Sequence, residues 1–238
     1  MIHTKRTLGG ACVAPHHSAA QAGRDVLQEG GNAVEAMVAA AASIAVVYPH
    51  MNALGGDGFW LIKPANGTPI AIDACGPAGQ AADIDFYTGA GETTIPNRGP
   101  RAALTVAGTI GGWQQALKVA HQLGGNTPVS RLLAPAEQQA REGIVVSQSQ
   151  AALTRAKFEQ LAQQPGFAEV FLSNGQPPSE GDILYQPDLA DTLAQLSRAG
   201  LDDFYRGDLA QTLSQGLEAL GSPVRRAELE AFRARLVE

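Results

Sequence analysis

Residues 28–50 read QEGGNAVEAMVAAAASIAVVYPH, and residues 52–60 follow as NALGGDGFW. Glycine readily takes the left-handed conformation that ends a helix, so Gly30 and Gly31 are expected to end one helix here. Asn32 is a favourable N-cap for the next helix, and Glu35 stands at the position that completes a capping box. No helix breaker follows until Pro49. The stretch therefore predicts a helix over residues 33–47.

This predicted helix is apolar on nearly all sides, because alanine, valine, isoleucine and methionine fill most of its positions. Such a helix is typical of a buried core element that its neighbours approach closely. The alternative is a membrane span, which requires about 20 predominantly apolar residues. The run is shorter than that and carries Glu35, so we expect a core helix and no membrane segment.

The next segment predicts a β-hairpin. Residues 59–62 and 69–73 are the two expected strands, and Asn66-Gly67 is a favourable hairpin turn. The glycines at 55, 56 and 58 match neither of the common nucleotide-binding motifs, which precede a helix rather than a strand. We expect these glycines to let the backbone pack tightly against the buried helix.

The composition is that of an ordinary globular protein, with 45% hydrophobic and 17% charged residues over 238 residues. A net charge of −6 and the absence of basic runs argue against nucleic acid as a partner. Two cysteines are too few for a disulfide framework. Residues 1–8 are polar and lead into no signal-peptide segment, so we expect a cytoplasmic protein. No repeat or linker divides the chain, and we expect residues 1–238 to form a single domain.

Hydrophobic periodicity and turn residues predict the remaining elements. We expect a short buried strand over residues 10–13 and helices over residues 19–29, 112–123, 129–142, 148–164, 187–199 and 226–238. His16 and His17 lie in a turn without further ligands at a recognisable spacing, so we expect turn residues there and no metal site.

Residues 29–62, EGGNAVEAMVAAAASIAVVYPHMNALGGDGFWLI, closely resemble the large-subunit signature of the gamma-glutamyltransferase (gamma-glutamyltranspeptidase) family. Residues 131–147, RLLAPAEQQAREGIVVS, and residues 180–213 are similar to later family segments. The resemblance implies an α+β chain that forms part of a four-layer αββα N-terminal-nucleophile hydrolase. Family members are made as one precursor that cuts itself in two, and the threonine that begins the small subunit is the nucleophile. The signature around that threonine is absent here, so the resemblance implies a large subunit with no catalytic residue of its own.

One departure from the family concerns the substrate site. Family members carry Asp-x-Arg-Glu-x-Ala-Pro after the second hairpin strand, and the arginine binds the α-carboxylate of the glutamyl substrate. In this chain Cys75 stands at the arginine position and Gly76 replaces the glutamate. A thiol cannot form a bidentate contact with a carboxylate. Either another arginine, such as Arg98 or Arg101 from the glycine- and proline-rich loop 88–103, takes over that contact, or the substrate has no carboxylate there. For Arg98 and Arg101 the alternative is a solvated position on the surface, since cations are common in loops.

Cys75 also has two possible roles of its own. A catalytic nucleophile would need a nearby base or a lowered pKa. Free cysteine is among the most buried residue types, which favours a pocket-lining or buried thiol. We therefore expect Cys75, Gly76, Arg98 and Arg101 to be the substrate-binding residues of this chain.

The resemblance, together with the lost arginine, implies amide hydrolysis. Our first expectation is an oxamate amidohydrolase that releases ammonia in purine or allantoin breakdown, working with a small subunit from the same precursor. A cephalosporin or glutaryl acylase, a true gamma-glutamyltransferase and a non-catalytic binding module remain alternatives. We expect no cofactor and no metal, and a dimer of heterodimers is a possible assembly.

Overall fold

The structure is a computed structural model that describes residues 7–237. Its helices are α1 (His17–Gln28), α2 (Ala33–Val47), α3 (Ile84–Thr88), α4 (Thr109–Gln122), α5 (Val129–Glu142), α6 (Gln148–Leu161), α7 (Phe167–Phe171), α8 (Pro187–Ala199), α9 (Asp203–Arg206), α10 (Asp208–Ala219) and α11 (Arg226–Ala231). Its strands are β1 (Gly58–Ile62), β2 (Ile70–Ala74), β3 (Ile144–Val145), β4 (Ile183–Leu184) and β5 (Arg235–Val237). None of the helices in the described part of the chain has the length and apolarity needed to cross a membrane.

Helix α2 is the central element of the core, as predicted. Asn32 caps it by accepting hydrogen bonds from the backbone N–H groups of Val34 and Glu35, both at 3.1 Å. The Glu35 carboxylate closes the capping box by accepting from the Asn32 N–H at 2.7 Å. Most of the helix is buried, and it packs against α1, α4 and α5. The buried helix fixes the position of the loop that leads into β1.

The predicted hairpin is confirmed, and a third strand extends it. Strands β1 and β2 pair antiparallel from Gly58–Ala74 to Ile62–Ile70, and Gly67 adopts the left-handed conformation (φ 104°) in the turn. Strand β5 pairs antiparallel with the other edge of β2, which gives the order β1-β2-β5. The end of β2 therefore lies between a local partner and a strand from the far end of the chain.

The two faces of this sheet have different environments. Helix α4 covers one face, where Gly112 approaches the Trp60 ring and the Ala74 side chain. On the opposite face, Phe59 and Leu61 are 71% and 79% exposed. The sheet thus buries one face within the described residues and leaves the other open.

The last predicted helix, over residues 226–238, is wrong beyond Ala231. The chain leaves the helix there and continues as β5, because the free edge of β2 offers backbone hydrogen-bond partners to an extended segment. Local periodicity carries no information about such a distant strand. Glu238, the predicted helix end, and residues 1–6, part of the segment used to exclude a signal peptide, lie outside the described residues.

Two further predictions need correction. Residues 10–13 form no strand, because this segment packs on α1 instead of pairing with a strand; Cys12 Sγ closely approaches Gly23 of that helix. Helix α4 begins at Thr109, before its expected start at residue 112. Gly111 and Gly112 lie inside this helix. Glycine suits both positions because the Phe232 ring approaches Gly111 and the Trp60 ring approaches Gly112, which leaves little room for a side chain.

Candidate functional site

The end of β2 forms a close backbone contact that only glycine permits. An added Cβ on Gly76 would lie 1.6 Å from the backbone oxygen of Val106. A Cβ on Gly108 would likewise lie 1.8 Å from the backbone oxygen of Ala74. Two chain segments therefore pass each other at van der Waals contact beside residues 74–76, and this contact fixes the course of the chain after β2.

The expectation that the glycines before β1 pack tightly against the buried helix α2 is wrong. An added Cβ on Gly58 would have Thr109 of α4 as its nearest neighbour, at an ordinary contact distance of 3.4 Å. An added Cβ on Gly55 or Gly56 would meet nothing within 4 Å, so no close packing requires glycine there. Instead, the Gly56 carbonyl accepts hydrogen bonds from the N–H groups of Gly108 and Thr109, at 2.9 and 2.8 Å. These bonds fix the loop against the start of α4.

Asp57, which follows this fixed loop, organises the end of β2. Its carboxylate accepts a hydrogen bond from the Gly76 N–H at 3.0 Å and contacts the Cys75 thiol at 3.5 Å. Desolvation raises the pKa of the Cys75 thiol, and the hydrogen bond to Asp57 adds to this effect. A raised pKa keeps the sulfur protonated and poorly nucleophilic. The arrangement fits an exposed cavity-lining thiol and does not activate a nucleophile.

Cys75 and Gly76 line a cavity of about 680 Å³ between the end of β2 and α11. The cavity also holds two arginines from the chain around β5, Arg233 and Arg235. Arg235 forms an ion pair with Asp73 on β2, with 2.6 Å between guanidinium nitrogen and carboxylate oxygen, and its side chain is 76% exposed. We call this space the Cys75 cavity.

The charged side chains of the Cys75 cavity differ in whether they already have a partner in the protein. The pKa of Asp73 is lowered, first by a hydrogen bond from the Cys75 N–H and then by Arg235. Glu228 accepts hydrogen bonds from the backbone N–H groups of Gln80 and Arg225. Both acids are thus bound to protein donors. Arg233 donates only to backbone carbonyl groups in the described residues, so its charge has no acidic partner there.

The two loop arginines lie elsewhere. Arg101 donates to the Glu92 carboxylate at 2.9 Å and to the Phe86 carbonyl at 2.5 Å, and its guanidinium stacks over the Phe86 ring. Arg98 is exposed and lines a different cavity, next to α6. The structure therefore brings Cys75 and Gly76 together, and neither Arg98 nor Arg101 lines their cavity. A substrate contact by these two arginines stays a prediction.

Sequence reasoning missed Asp57, Arg233 and Arg235. Asp57 carried a usable signal, since an acidic residue between glycines immediately before a strand is a candidate for backbone contacts. The arginines carried none, because only the pairing of β2 with β5 brings them to Cys75.

The adjacent histidines have a structural role in this fold. The His16 side chain accepts a hydrogen bond from the Ser18 N–H and caps α1, and the rings of His16 and His17 stack with centroids 4.4 Å apart. Across residues 7–237, no group of three or more His, Cys, Asp or Glu side chains is placed to hold a metal ion.

Comparisons with known proteins agree on one family. The profile of the gamma-glutamyltranspeptidase family matches residues 19–238. An oxamate amidohydrolase proenzyme of Klebsiella pneumoniae is 57% identical over 227 residues, which cover 95% of this chain and 43% of that protein. The chain thus spans less than half the length of this curated relative.

Solved structures give the same result. The gamma-glutamyltranspeptidase of Helicobacter pylori matches with a TM-score of 0.90 and 30% identity, over 99% of this chain and 67% of that one. A cephalosporin acylase from Bacillus halodurans matches with a TM-score of 0.81 and 31% identity, over 92% of this chain and 41% of that one. The fold is the α+β fold of the N-terminal-nucleophile hydrolases, and the chain belongs to the gamma-glutamyltranspeptidase family.

Proposed function

We propose that this chain is the large-subunit part of an amidohydrolase that releases ammonia from a small amide bearing a carboxylate, with oxamate as the first candidate. The observation that carries the proposal is the Cys75 cavity, which is lined by two arginines and by two acids that are already bound to protein donors. The high identity to an oxamate amidohydrolase proenzyme supports the same choice.

The arginines come from the chain around β5, the strand paired with β2, and offer a carboxylate site beside the position used in the family. Cys75 is too short and too weakly polar to bind a carboxylate, so the charge must come from another element. Arg235 is held at one edge by Asp73 and is 76% exposed, which leaves further N–H donors free for a ligand. In oxamate the carboxylate is bonded directly to the amide carbon, so one anchored end also positions the scissile bond.

The chemistry would use a nucleophile from the partner polypeptide. In the proposed mechanism, the N-terminal threonine of a small subunit attacks the amide carbonyl, and its own α-amino group accepts the hydroxyl proton. The C–N bond breaks, nitrogen takes up a proton and leaves as ammonia, and water then hydrolyses the ester. The role of this chain is to hold and orient the carboxylate end through Arg235, with the backbone at Gly76 fixed by Asp57.

The open face of the sheet is the proposed docking surface for that small subunit. Near Phe59, Met37 lines the same cavity beside β1 and is 42% exposed. Exposed large apolar side chains on one sheet face are typical of a protein interaction site. A second sheet packed on this face would complete the four-layer arrangement.

A second candidate is an acylase for a larger amide, such as a cephalosporin or glutaryl amide. Two observations favour it: the similarity to the Bacillus halodurans cephalosporin acylase and a cavity of about 680 Å³, which exceeds the needs of oxamate. The remaining alternatives are a gamma-glutamyltransferase and a non-catalytic binding protein.

The test uses the complete precursor gene product. Intact mass and N-terminal sequencing should show a second polypeptide that begins with threonine, and ammonia release should be fastest with oxamate among oxamate, glutaryl amides and γ-glutamyl amides. Arg235→Gln should raise KM for oxamate by about tenfold or more, because a charge-assisted hydrogen bond contributes about 1.5–3 kcal/mol.

Arg226→Gln is the matched control, since Arg226 lies on α11 and pairs with Glu230 outside the cavity. Its KM for oxamate should be unchanged. A processed enzyme that hydrolyses a larger amide and leaves oxamate intact would favour the acylase. Release of nitroanilide from a γ-glutamyl anilide would instead identify a gamma-glutamyltransferase. A precursor that stays uncut and has no threonine at the expected junction would indicate a non-catalytic binding protein.

A further inference from the structure

A second cavity lies beside α6 and shares no lining residue with the Cys75 cavity. It has a volume of about 400 Å³ and lies between the turn after α2, helix α6 and helix α7. Arg98 borders it from loop 88–103. We call it the α6 cavity. Its volume is within the usual range for small-molecule sites, about 300–1,000 Å³.

The apolar wall of the α6 cavity is incompletely covered. The fully buried side chains of α6 are Gln150, Ala151 and Thr154, two of which are polar. Leu153 is 41% exposed on the same helix, and Met51 opposite is 65% exposed. The rings of Phe167 and Phe171 from α7 complete this wall, with centroids 5.4 Å apart. An amphipathic helix normally buries its leucines, so this distribution indicates an apolar surface available to a ligand.

The charges around the α6 cavity have one sign. Arg98 and Lys157 line it, and none of its lining residues is acidic. Neither cation forms an ion pair in the described part of the chain, where Arg98 donates only to the carbonyl of its neighbour Asn97 at 2.8 Å. This concentration of positive charge is unusual in a chain whose net charge is −6. It makes the cavity complementary to an anionic ligand.

Two buried polar groups at the cavity are also unsatisfied. Gln150 is buried, with a relative exposure of 2%, and its Oε1 has no hydrogen-bond partner among residues 7–237. His50 contacts the Ser149 hydroxyl through Nε2 at 3.2 Å, whereas its buried Nδ1 has no partner in that range. A buried unsatisfied polar group costs about 1–3 kcal/mol and calls for an explanation. Both residues line the α6 cavity. When the Ser149 hydroxyl donates to His50 Nε2, the proton of the neutral ring is on Nδ1, which can then donate to a bound carboxylate. Gln150 Oε1 is an acceptor and needs a donor other than the carboxylate.

We propose that the α6 cavity is a binding site for a small amphipathic carboxylate, distinct from the site proposed for the amide substrate. The carboxylate meets the cations Arg98 and Lys157, and the apolar body of the ligand covers Leu153 and the two phenylalanine rings of α7. The proposal does not depend on the identity of the amide substrate, because it rests on a separate set of residues.

The test compares two probes on the full-length processed protein by isothermal titration calorimetry. The probes are 4-phenylbutyrate and the neutral 4-phenylbutyramide, which differ in charge and scarcely in shape. We expect the carboxylate to bind at least about tenfold more tightly than the amide, as a charge-assisted contact implies. Lys157→Gln and Arg98→Gln should each weaken carboxylate binding by about five- to tenfold.

Two further variants localise the binding. Leu153→Glu places an acid in the cavity and should abolish binding of 4-phenylbutyrate. Arg155→Gln is the matched control, because Arg155 is an exposed cation on the same helix and does not line the cavity; it should bind as the parent protein does. Equal affinity for both probes, no binding to the folded processed protein, unchanged affinity in Lys157→Gln and Arg98→Gln, or complete displacement by oxamate would overturn the proposal.

Discussion

At the scale of single residues, Gly76 is the position in the candidate site where a side chain would be least tolerated. Replacing it with alanine would place a Cβ 1.6 Å from the Val106 carbonyl oxygen, so the backbone must move. We expect Gly76→Ala to lower the free energy of unfolding by about 3 kcal/mol. In a thermal unfolding experiment on the full-length protein, the midpoint should fall by roughly 6–12 °C.

Gly55→Ala is the control for this change. Gly55 is exposed, and an added Cβ there would meet no atom within 4 Å. The midpoint of Gly55→Ala should stay within about 2 °C of the parent value, since surface substitutions usually change stability by less than about 0.5 kcal/mol. Equal midpoints for Gly76→Ala and Gly55→Ala would show that the close contact at Val106 does not exist.

Residue-level predictions from sequence succeeded where the chemistry is local. Asn32 and Glu35 lie three residues apart, and their capping bonds follow from side-chain type and spacing alone. The contact of Asp57 with Gly76 spans 19 residues, and that of Arg235 with Asp73 spans 162. The first contact follows from the predicted hairpin, which places Asp57 beside the end of β2. The second depends on the pairing of β2 with β5, which local residue types do not specify, so the arginines of the Cys75 cavity were not predictable from sequence.

At the scale of elements, the start of α2 joins two parts of the core. The Glu35 carboxylate accepts from the Asn32 N–H and from the Thr127 N–H, both at 2.7 Å, and the side chain is 2% exposed. Glu35→Gln replaces one of the two acceptor oxygens by a donor and leaves a buried N–H without a partner. We expect a loss of about 2 kcal/mol in the free energy of unfolding, measured by chemical denaturation.

A matched change at another helix start separates this effect from general helix electrostatics. Asp208 is an exposed acidic residue in the first turn of α10. Asp208→Asn removes a charge near a helix N-terminus and should cost about 0.3–1 kcal/mol. If Glu35→Gln cost no more than Asp208→Asn, the carboxylate would act only through its charge, and the two hydrogen bonds would be unimportant.

The prediction of helices and strands succeeded where local residues mark their ends and failed where a distant strand decides the conformation. The helices at residues 33–47, 129–142 and 187–199 are found at the expected bounds, because caps, glycines and prolines mark their ends in the sequence. Helix α6 ends at Leu161, three residues before its expected end. The sequence predicts a helix over residues 235–237, where the structure has strand β5, because the extended form of this segment depends on pairing with β2.

At the scale of the whole molecule, the open face of the sheet is the surface on which we propose that a partner subunit docks. Leu61 is 79% exposed at the centre of that face in β1. Leu61→Asp would bury a charge under the proposed small subunit. We expect the affinity between the two polypeptides to fall by at least about a hundredfold, which corresponds to about 3 kcal/mol. Size-exclusion chromatography of the processed protein should show this as separation of the two polypeptides.

Leu220→Asp provides the comparison, because Leu220 is 53% exposed at the end of α10, away from the sheet. Both variants expose the same new carboxylate, and only Leu61→Asp should separate the polypeptides. An intact assembly in Leu61→Asp would place the partner on another surface.

The fold class and the family were both predictable from sequence, because residues 29–62 carry a long and specific signature that the structure and the comparisons confirm. The amide substrate, the cytoplasmic location and the pairing of heterodimers stay predictions. They depend on the rest of the assembly, and this chain supplies only part of the proposed substrate site.

The pairing of β2 with β5 also has a consequence for the order in which the molecule is made. The β1–β2 hairpin can close once residue 74 has emerged from the ribosome, whereas Arg235, the ion-pair partner of Asp73, lies 162 residues after Asp73 in the chain. Contacts between such distant residues form slowly, since a long loop must be closed first. During translation β2 therefore presents an unpaired edge of the kind that recruits foreign strands. The arrival of β5 covers this edge of β2 and completes the Cys75 cavity.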